Sequence, residues 1–551
     1  VPDPKPRARE LWQKARPSAA FVIAFALLNS VVNVRYPEHD PQLWYVLPAL
    51  DVVILLSVFS AIGLSGRTVP RALHVGLVVL LFCVRVLRFG EGVQHRYFDS
   101  QFNAFFDLPL VPELVRLMHS TLPLWKFCAA LVVLAAGLVA LGLASSGALR
   151  YSAHYLRTGR HVAVFAALVA ASLLVATPAQ RPDRFATGAL VSSALPALAE
   201  QLVFAARSAP VVESHRAEIR RVRRELERTP QDLRGLAGQH VFLFVVESYG
   251  RAALDQALLA PGMRAVWQRF EETVGKHGYH SASAWLESST YGGRSWLAHA
   301  TLATGVQTTD QLAYRLVLES EPLSLAYFFG RAGYRTVLAG PGTTRPFRQG
   351  DAYRFHAKYY AWQYGYAGPR FSWALMPDQF VVDFVHRREV ATATRPLFIE
   401  YALVSSHTPW DIQPPLVEDW KSIGTGAIYS RLPAVRFDVT WPELNDKAPA
   451  AYVRALSYDF DVLMRYLAEF VAGDALIIIL GDHQPPREIT QSDSRDVPVH
   501  VVSRRRVFID AFRARGYTPG MVPTSAARRM GMRQFLPELL RTFSSPNQKQ
   551  G

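Results

Sequence analysis

Ala475–Leu480 (ALIIIL) runs directly into Gly481-Asp482-His483-Gln484-Pro485-Pro486. Six apolar residues without alternation predict a strand covered on both faces. The first polar pair falls just beyond its carboxyl end. There Asp482 offers a hard oxygen and His483 an imidazole nitrogen, a pairing suited to a divalent metal.

Outward from this stretch the same pattern recurs. His240–Val246 (HVFLFVV), Tyr334–Ala339 (YRTVLA) and Leu397–Val404 (LFIEYALV) read as strands. Trp296–Thr304, Leu323–Ala332 and Tyr452–Val471 read as helices, with Gly305 ending the first. Alternation of apolar strands with helices predicts an α/β unit, doubly wound around a mostly parallel sheet. In such sheets the chemistry lies beyond the carboxyl ends of the strands.

Three more clusters sit at such ends. Glu247-Ser248-Tyr249-Gly250 follows HVFLFVV, and Glu247 reads as a carboxylate pointing into the crevice or as part of a helix N-cap region. Gly292-Gly293-Arg294-Ser295 leads into a helix, where free backbone N–H groups favour a phosphate or an alkoxide; Ser295 reads equally as an ordinary cap. Ser405-Ser406-His407-Thr408-Pro409-Trp410 follows LFIEYALV, and His407 reads as a proton donor or a structural histidine. Together, Glu247, Ser295, Asp482 and His483 would make a four-ligand metal site in which Ser295 is also the nucleophile.

The first half of the chain is of another kind. Half of the 551 residues are apolar and 19% charged, which excludes a disordered chain. Apolar runs at about 18–34, 45–64, 72–89, 124–144 and 161–177 approach the roughly 17–25 residues that cross a bilayer. Basic residues concentrate in the N-terminal segment and in the second and fourth loops. The positive-inside rule then predicts five spans, a cytoplasmic N-terminus and a C-terminal half outside. The first run lacks a cleavage site and reads as an anchor. Cys83 and Cys128 lie in apolar runs and read as membrane-buried. Asp51, inside the second run, reads as a functional carboxylate or as one near the outer interface. The Phe-rich loop 90–123 reads as a re-entrant or interfacial helix or as a plain amphipathic loop.

The expected domains are therefore a five-helix transmembrane domain at 1–177, a linker at 178–236 and a catalytic domain at 237–545. Within the linker, Leu195–Arg228 reads as helical with a charged end, lying on an anionic membrane or solvated by i,i+4 ion pairs. The net charge of +15 suits nucleic acid or anionic lipid, but no nucleic-acid motif is present and the apolar runs favour lipid.

These motifs resemble the alkaline phosphatase/sulfatase superfamily and, within it, the membrane-anchored lipoteichoic acid synthase and phosphoethanolamine transferase branch. The family's Gly-Lys-Thr around the nucleophile is matched by Gly293-Arg294-Ser295, its downstream Thr-Gly by Thr304-Gly305, and its Ser-His before an aromatic by Ser406-His407 with Trp410 nearby. The resemblance implies an alkaline phosphatase-like fold and one Zn²⁺ or Mn²⁺ held by Glu247, Ser295, Asp482 and His483. It also implies catalysis by Ser295 and His407, with Arg294, Arg345, Arg348, Trp410 and His500 as candidates for substrate binding. Asp378 falls in a structural turn.

The implied activity moves a phospholipid-derived phosphoglycerol or phosphoethanolamine group onto a sugar or polymer hydroxyl outside the cytoplasmic membrane. The implied partners are a phospholipid donor and a glycan or polymer acceptor, without nucleic acid. The alternatives are a phosphodiesterase or sulfatase-type hydrolase and a non-catalytic membrane sensor. The sequence departs from the branch in carrying Ser for Thr, which leaves Ser289 and Thr290 as rival nucleophiles. It lacks the Pro/Ala and Arg that follow a sulfatase's modified residue, which disfavours a sulfatase. With no cysteine after Cys128 it cannot form the disulfides usual in phosphoethanolamine transferases, which favours phosphoglycerol.

Overall fold

The computed structural model describes residues 5–37, 48–98, 102–121, 123–176, 194–439, 446–471 and 473–545. It divides into two units, Val1–Arg96 with Ser100–Ser208, and Tyr97–Asp99 with Ala209–Gly551. The division at 208 falls inside the stretch read from sequence as a linker.

The first unit is helical. Ala15–Asn33, Arg71–Phe98 and Leu124–Tyr155 are long and apolar enough to cross a membrane, and Leu50–Leu64, Gly159–Ala171 and Ala194–Ala206 are apolar but shorter. All five apolar runs thus fall on helices, three of them of spanning length. Residues 45–47, which open the second run, and 177, which ends the fifth, lie outside the described residues. The Phe-rich loop contains the helices Ala104–Asp107 and Val111–Thr121. The unit's core gathers Phe21, Phe25, Leu28, Leu56, Phe59 and Leu149, with Phe21 stacked on Tyr155 at 4.5 Å between ring centroids. By contrast, the apolar window of Leu124–Tyr155 buries none of itself in protein. Cys83 and Cys128 are exposed on the outside of this unit.

Polar groups here complete helix ends. Arg88 Nε donates to the Val32 carbonyl at 2.7 Å and Arg85 to the Val34 carbonyl at 2.5 Å. These two arginines of the third run therefore satisfy carbonyls at the end of the first helix. Asp51 Oδ2 accepts the Ala194 N–H at 2.5 Å, so this carboxylate caps another helix.

The second unit opens with the helix Ser208–Arg228. Ile219, Val222 and Leu226 are buried within the unit, so this apolar edge is already used. Its charged face carries Arg220–Glu213, Arg221–Glu218 and Arg223–Glu227 ion pairs. This is the ion-paired form of the helix.

The strands are β1 (Val241–Val246), β2 (His280–Glu287), β3 (Arg335–Gly340), β4 (Ala357–Tyr360), β5 (Leu397–Ala402), β6 (Ile412–Gln413), β7 (Val435–Arg436), β8 (Leu476–Gly481), β9 (Asp496–Ser503), β10 (Thr518–Pro519) and β11 (Arg529–Gly531). The main sheet runs β10-β2-β9-β8-β1-β5-β3-β4, with β11 beside β2. From β8 to β4 all neighbours are parallel. β9 is antiparallel to both β8 and β2, so the sheet is mixed. The β8–β9 connection carries only the four-residue helix Arg487–Thr490 and no crossover helix, so the chain returns antiparallel.

Every residue of β1 and β8 is buried, as strands covered on both faces require. On one face Phe242, Phe244 and Val246 pack with Trp267, Phe270, Phe380, Tyr452 and Tyr466. Asp378 and Asp459 are buried beneath this end of the sheet. Burial raises both above the usual carboxylate range. For Asp378, N–H groups of Ser405 and Val404 oppose the rise; for Asp459 the charge of Asp378 adds to it. Asp378 accepts the N–H groups of Val404 and Ser405 at 2.9 and 2.7 Å, which fixes the loop that carries His407.

A raised folded-state pKa contributes stability at low pH that is lost as pH rises through the raised value. Asp459→Asn removes that loss. The thermal midpoint at pH 8 should rise by several degrees (roughly 2–4 °C per kcal/mol in a unit of this size) with little gain at pH 4, measured by calorimetry. Asp378→Asn, which weakens two backbone bonds, should lower it at both.

Candidate functional site

β1 and β8 are parallel neighbours with Val246 level with Gly481. The next residue of each strand, Glu247 and Asp482, therefore emerges side by side. A Cβ on Gly481 would lie 1.7 Å from the Tyr249 carbonyl oxygen, so only glycine lets the two strand ends approach this closely. Ser248 takes a left-handed φ of 56°. In that conformation its N–H donates to Asp482 Oδ1 at 2.8 Å and its hydroxyl to Glu247 Oε1 at 2.9 Å. The strained residue orients both carboxylates at once.

His483 completes the cluster. Its Nδ1–H donates to the Gln484 carbonyl at 2.7 Å, which turns Nε2 toward the carboxylates. Nε2 lies 3.3 Å from Glu247 Oε1 and 3.4 Å from Asp482 Oδ2. One ligand atom from each of Glu247, Asp482 and His483 falls within 4.8 Å of the others, and all three residues are buried.

Ser295 enters from the opposite side. Arg294, at a φ of 61°, turns the chain into the helix Ser295–Thr304. The hydroxyl of Ser295 then donates to Glu247 Oε2 at 2.8 Å and lies 3.1 Å from His483 Nε2. The rivals lie elsewhere. Ser289 accepts from Thr301 at 3.0 Å, and Thr290 is buried without a described partner for its hydroxyl.

Burial penalises charge on Glu247, but His483, His407 and the Ser295 hydroxyl overcome it and hold that carboxyl well below its usual range. Burial and the charge of Glu247 push Asp482 up to about 6. Burial alone would lower His483, yet Asp482 and Glu247 raise it to about 9. The site thus favours positive charge at its centre. Asp482 Oδ2 is buried and takes no hydrogen bond from any described residue. An orphaned carboxylate oxygen, a second carboxylate, an imidazole nitrogen and a hydroxyl form a donor set that fits a divalent ion.

Residues 282–502 match the protein-family model described as Sulfatase. The match lies within the second unit. The matched region encloses Ser295, His407, Asp482 and His483, while Glu247 precedes it. No curated protein matches the chain in a sequence search. Among solved structures the chain is similar to the lipoteichoic acid synthase LtaP from Listeria monocytogenes, at 14% identity and a TM-score of 0.37, over 57% of this chain and 74% of that one. It is similar to the Streptococcus pyogenes phosphoglycerol transferase GacH at 14% identity and a TM-score of 0.33, over 54% and 75%. It is also similar to the periplasmic domain of EcEptC from Escherichia coli, solved in complex with Zn, at 14% identity and a TM-score of 0.33, over 48% and 72%.

Within the matched region His407 stands beside the cluster. Its ring stacks on Trp373 at 4.0 Å, and its Nδ1–H donates to the Thr408 carbonyl at 2.6 Å, leaving Nε2 open. Ser406 donates to the Glu247 carbonyl at 2.8 Å and ties this loop to the end of β1. Arg294 is half-buried at the start of the Ser295 helix. Arg345 and Arg348 are exposed in the loop that leaves the carboxyl end of β3. Two of the residues read as substrate contacts lie in the core. Trp410 is buried, packs on Tyr452 and donates to the Ser406 carbonyl at 2.6 Å, so it braces the loop. His500 is enclosed in β9, between the hydroxyls of Ser283 and Tyr249 at 2.6 and 2.8 Å, and burial lowers it to about 3. It is a neutral core histidine.

In sequence, Ser248 and Gly481 stand inside the strand-end clusters without an assigned role, and Trp373 carries no signal. Glu247, Asp482 and His483 converge rather than splay apart.

The raised values of His483 and Asp482 set the pH dependence of metal uptake. Below about 9, His483 carries a proton that an incoming ion must displace; below about 6, Asp482 carries another. Affinity should therefore rise roughly tenfold per pH unit from about 6 to 9, and more steeply below 6. Titration calorimetry with Zn²⁺ or Mn²⁺ in buffers of differing ionisation enthalpy measures the proton released.

Proposed function

We propose that this protein is a metal-dependent transferase of the cytoplasmic membrane, built on five spans, with its catalytic domain on the outer side. It moves the phosphoglycerol group, or phosphoethanolamine, of a membrane phospholipid onto a sugar or polymer hydroxyl through a covalent phospho-Ser295. The observation that carries this reading is the placement of the Ser295 hydroxyl, at the head of a helix and within hydrogen-bond reach of both Glu247 and His483. A nucleophile so placed meets an anionic group with the helix N–H groups and dipole already facing it.

A divalent ion, Zn²⁺ or Mn²⁺, held by Glu247, Ser295, Asp482 and His483 would lower the pKa of the Ser295 hydroxyl and offset the charge of the phosphate. The remaining work falls to the chain. Ser295 Oγ attacks phosphorus, its own proton having passed to solvent, and the bond from phosphorus to the diacylglycerol oxygen breaks. His407 Nε2 gives that oxygen a proton. In the second half His407 takes the proton of the acceptor hydroxyl, whose oxygen bonds to phosphorus as Ser295 Oγ departs. Trp373 holds the His407 ring against rotation. Exposed Arg345 and Arg348 offer bidentate contacts to the donor phosphate or the acceptor. The apolar helices of the first unit would keep the domain at the leaflet that holds the donor.

Incubation of the purified chain with labelled phosphatidylglycerol or phosphatidylethanolamine tests the reading through diacylglycerol release. Phosphatidylglycerol should give the faster release. Ser295→Ala should lower it roughly 10³-fold or more and abolish any phosphorylated peptide containing residue 295. Thr290→Ala should retain both. Full activity of Ser295→Ala with a dead Thr290→Ala would contradict the proposal.

A further inference from the structure

Glu400 occupies a place where a carboxylate needs a reason. It lies in β5, level with Leu243 of β1 and Leu338 of β3, and its side chain is only 4% exposed. Leu397, Ile399 and Tyr401, pointing to the other face of the sheet, belong to the apolar core. A buried carboxylate is tolerated when paired and hydrogen-bonded. Glu400 Oε1 has one such contact, to His299 Nδ1 at 3.2 Å. Glu400 Oε2 is buried and takes no hydrogen bond from any described residue.

His299 follows Ser295 by one helical turn, so the two side chains share a face of the helix Ser295–Thr304. The imidazole keeps 22% of its surface exposed, while Ala298 and Ala300 beside it are buried. Burial works against its charge. The hydrogen bond and charge of Glu400 from β5, with Asp482 beyond β8 and Glu247 beyond β1, outweigh that and raise the imidazole above its ordinary value. A purely structural pair would be hard to rationalise, since an apolar pair would fill the same space without leaving a carboxylate oxygen unsatisfied.

We propose that His299, oriented by Glu400, is a second imidazole of the reaction centre, donating from Nε2–H to a non-bridging oxygen of the phosphoryl group that Ser295 attacks. This rests on the transfer reading above and adds a substrate contact to it. The Nδ1–H is committed to Glu400, so in the protonated ring Nε2–H is the remaining donor. Negative charge builds on the non-bridging oxygens during displacement, beside the carboxylates of Glu247, Asp482 and Glu400, whose charges already act on His299. A fixed donor one turn from the nucleophile opposes that accumulation. His407 remains the group that moves protons, and Glu400 is a positioning residue.

The test uses the full chain in detergent, loaded with Mn²⁺ or Zn²⁺, and bis(4-nitrophenyl) phosphate as probe. Nitrophenolate release, bound metal and thermal midpoint are measured for wild type, Ser295→Ala, His299→Leu, His299→Gln and Glu400→Gln. His299→Leu should lower kcat/KM about 100-fold or more with metal content and midpoint unchanged. His299→Gln, which keeps an N–H donor, should recover part of the loss. Glu400→Gln should move the alkaline limb of the kcat/KM profile to lower pH, because the imidazole loses its carboxylate.

Wild-type kcat/KM in His299→Leu beside a dead Ser295→Ala would overturn this assignment and leave the transfer reading standing. An active Ser295→Ala would overturn both. Loss of metal or midpoint in step with activity, in the His299 and Glu400 variants alike, would make the pair structural and overturn it too.

Discussion

Two buried carboxylates are forced together at the centre of this protein. Glu247 and Asp482 leave adjacent parallel strands one residue past their ends, and the strand register leaves them no room to separate. Burial and their mutual repulsion raise Asp482, and both carboxylates draw a proton onto His483. Much of the surrounding structure serves this one constraint. Gly481 permits the close approach, Ser248 accepts a left-handed backbone to bond both carboxylates, and the Gln484 carbonyl fixes the histidine tautomer. A cation would relieve the repulsion, and the same charge would favour an anionic substrate and an ionised Ser295.

A second layer steadies the first. Asp378 holds the backbone at Val404 and Ser405, Ser406 bonds the carbonyl of Glu247, and Trp410 bonds the carbonyl of Ser406. His407 is thus set on a loop fastened to the strand that carries Glu247, a candidate metal ligand. Precision at a reaction centre comes from such supports more than from the reacting groups themselves. In the first unit polar residues do similar work with simpler means. Arg85, Arg88 and Asp51 answer backbone groups at helix ends, which leaves the outer faces of the helices apolar.

The strand ends could be read from sequence because each apolar run stops abruptly at a group that burial would punish. Glu247, Asp482 and His483 stand out for that reason, and Ser295 stands out behind two glycines. Other features carry no such signal. β2 (His280–Glu287) mixes small, polar and apolar residues and does not announce a strand, so the antiparallel edge went unread and the sheet looked more parallel than it is. Trp410 and His500 look like site residues in sequence, since an aromatic or a histidine near a motif reads the same whether it faces a substrate or the core. The contact between His299 and Glu400 spans 101 positions. Glu400 is hidden within LFIEYALV, where one charged residue among apolar neighbours gives no hint of its partner. The break between the helices Ala194–Ala206 and Ser208–Arg228 was equally silent, because both flanks favour helix.

The central claim is that Glu247, Ser295, Asp482 and His483 bind one divalent cation. Anomalous diffraction from crystals of the protein grown with Mn²⁺ or Zn²⁺ tests it most directly. The account predicts a single strong peak bonded to all four side chains, with Asp482 Oδ2 among its ligands. A featureless map at this position, with Asp482 Oδ2 taking its hydrogen bond from the protein, would contradict it.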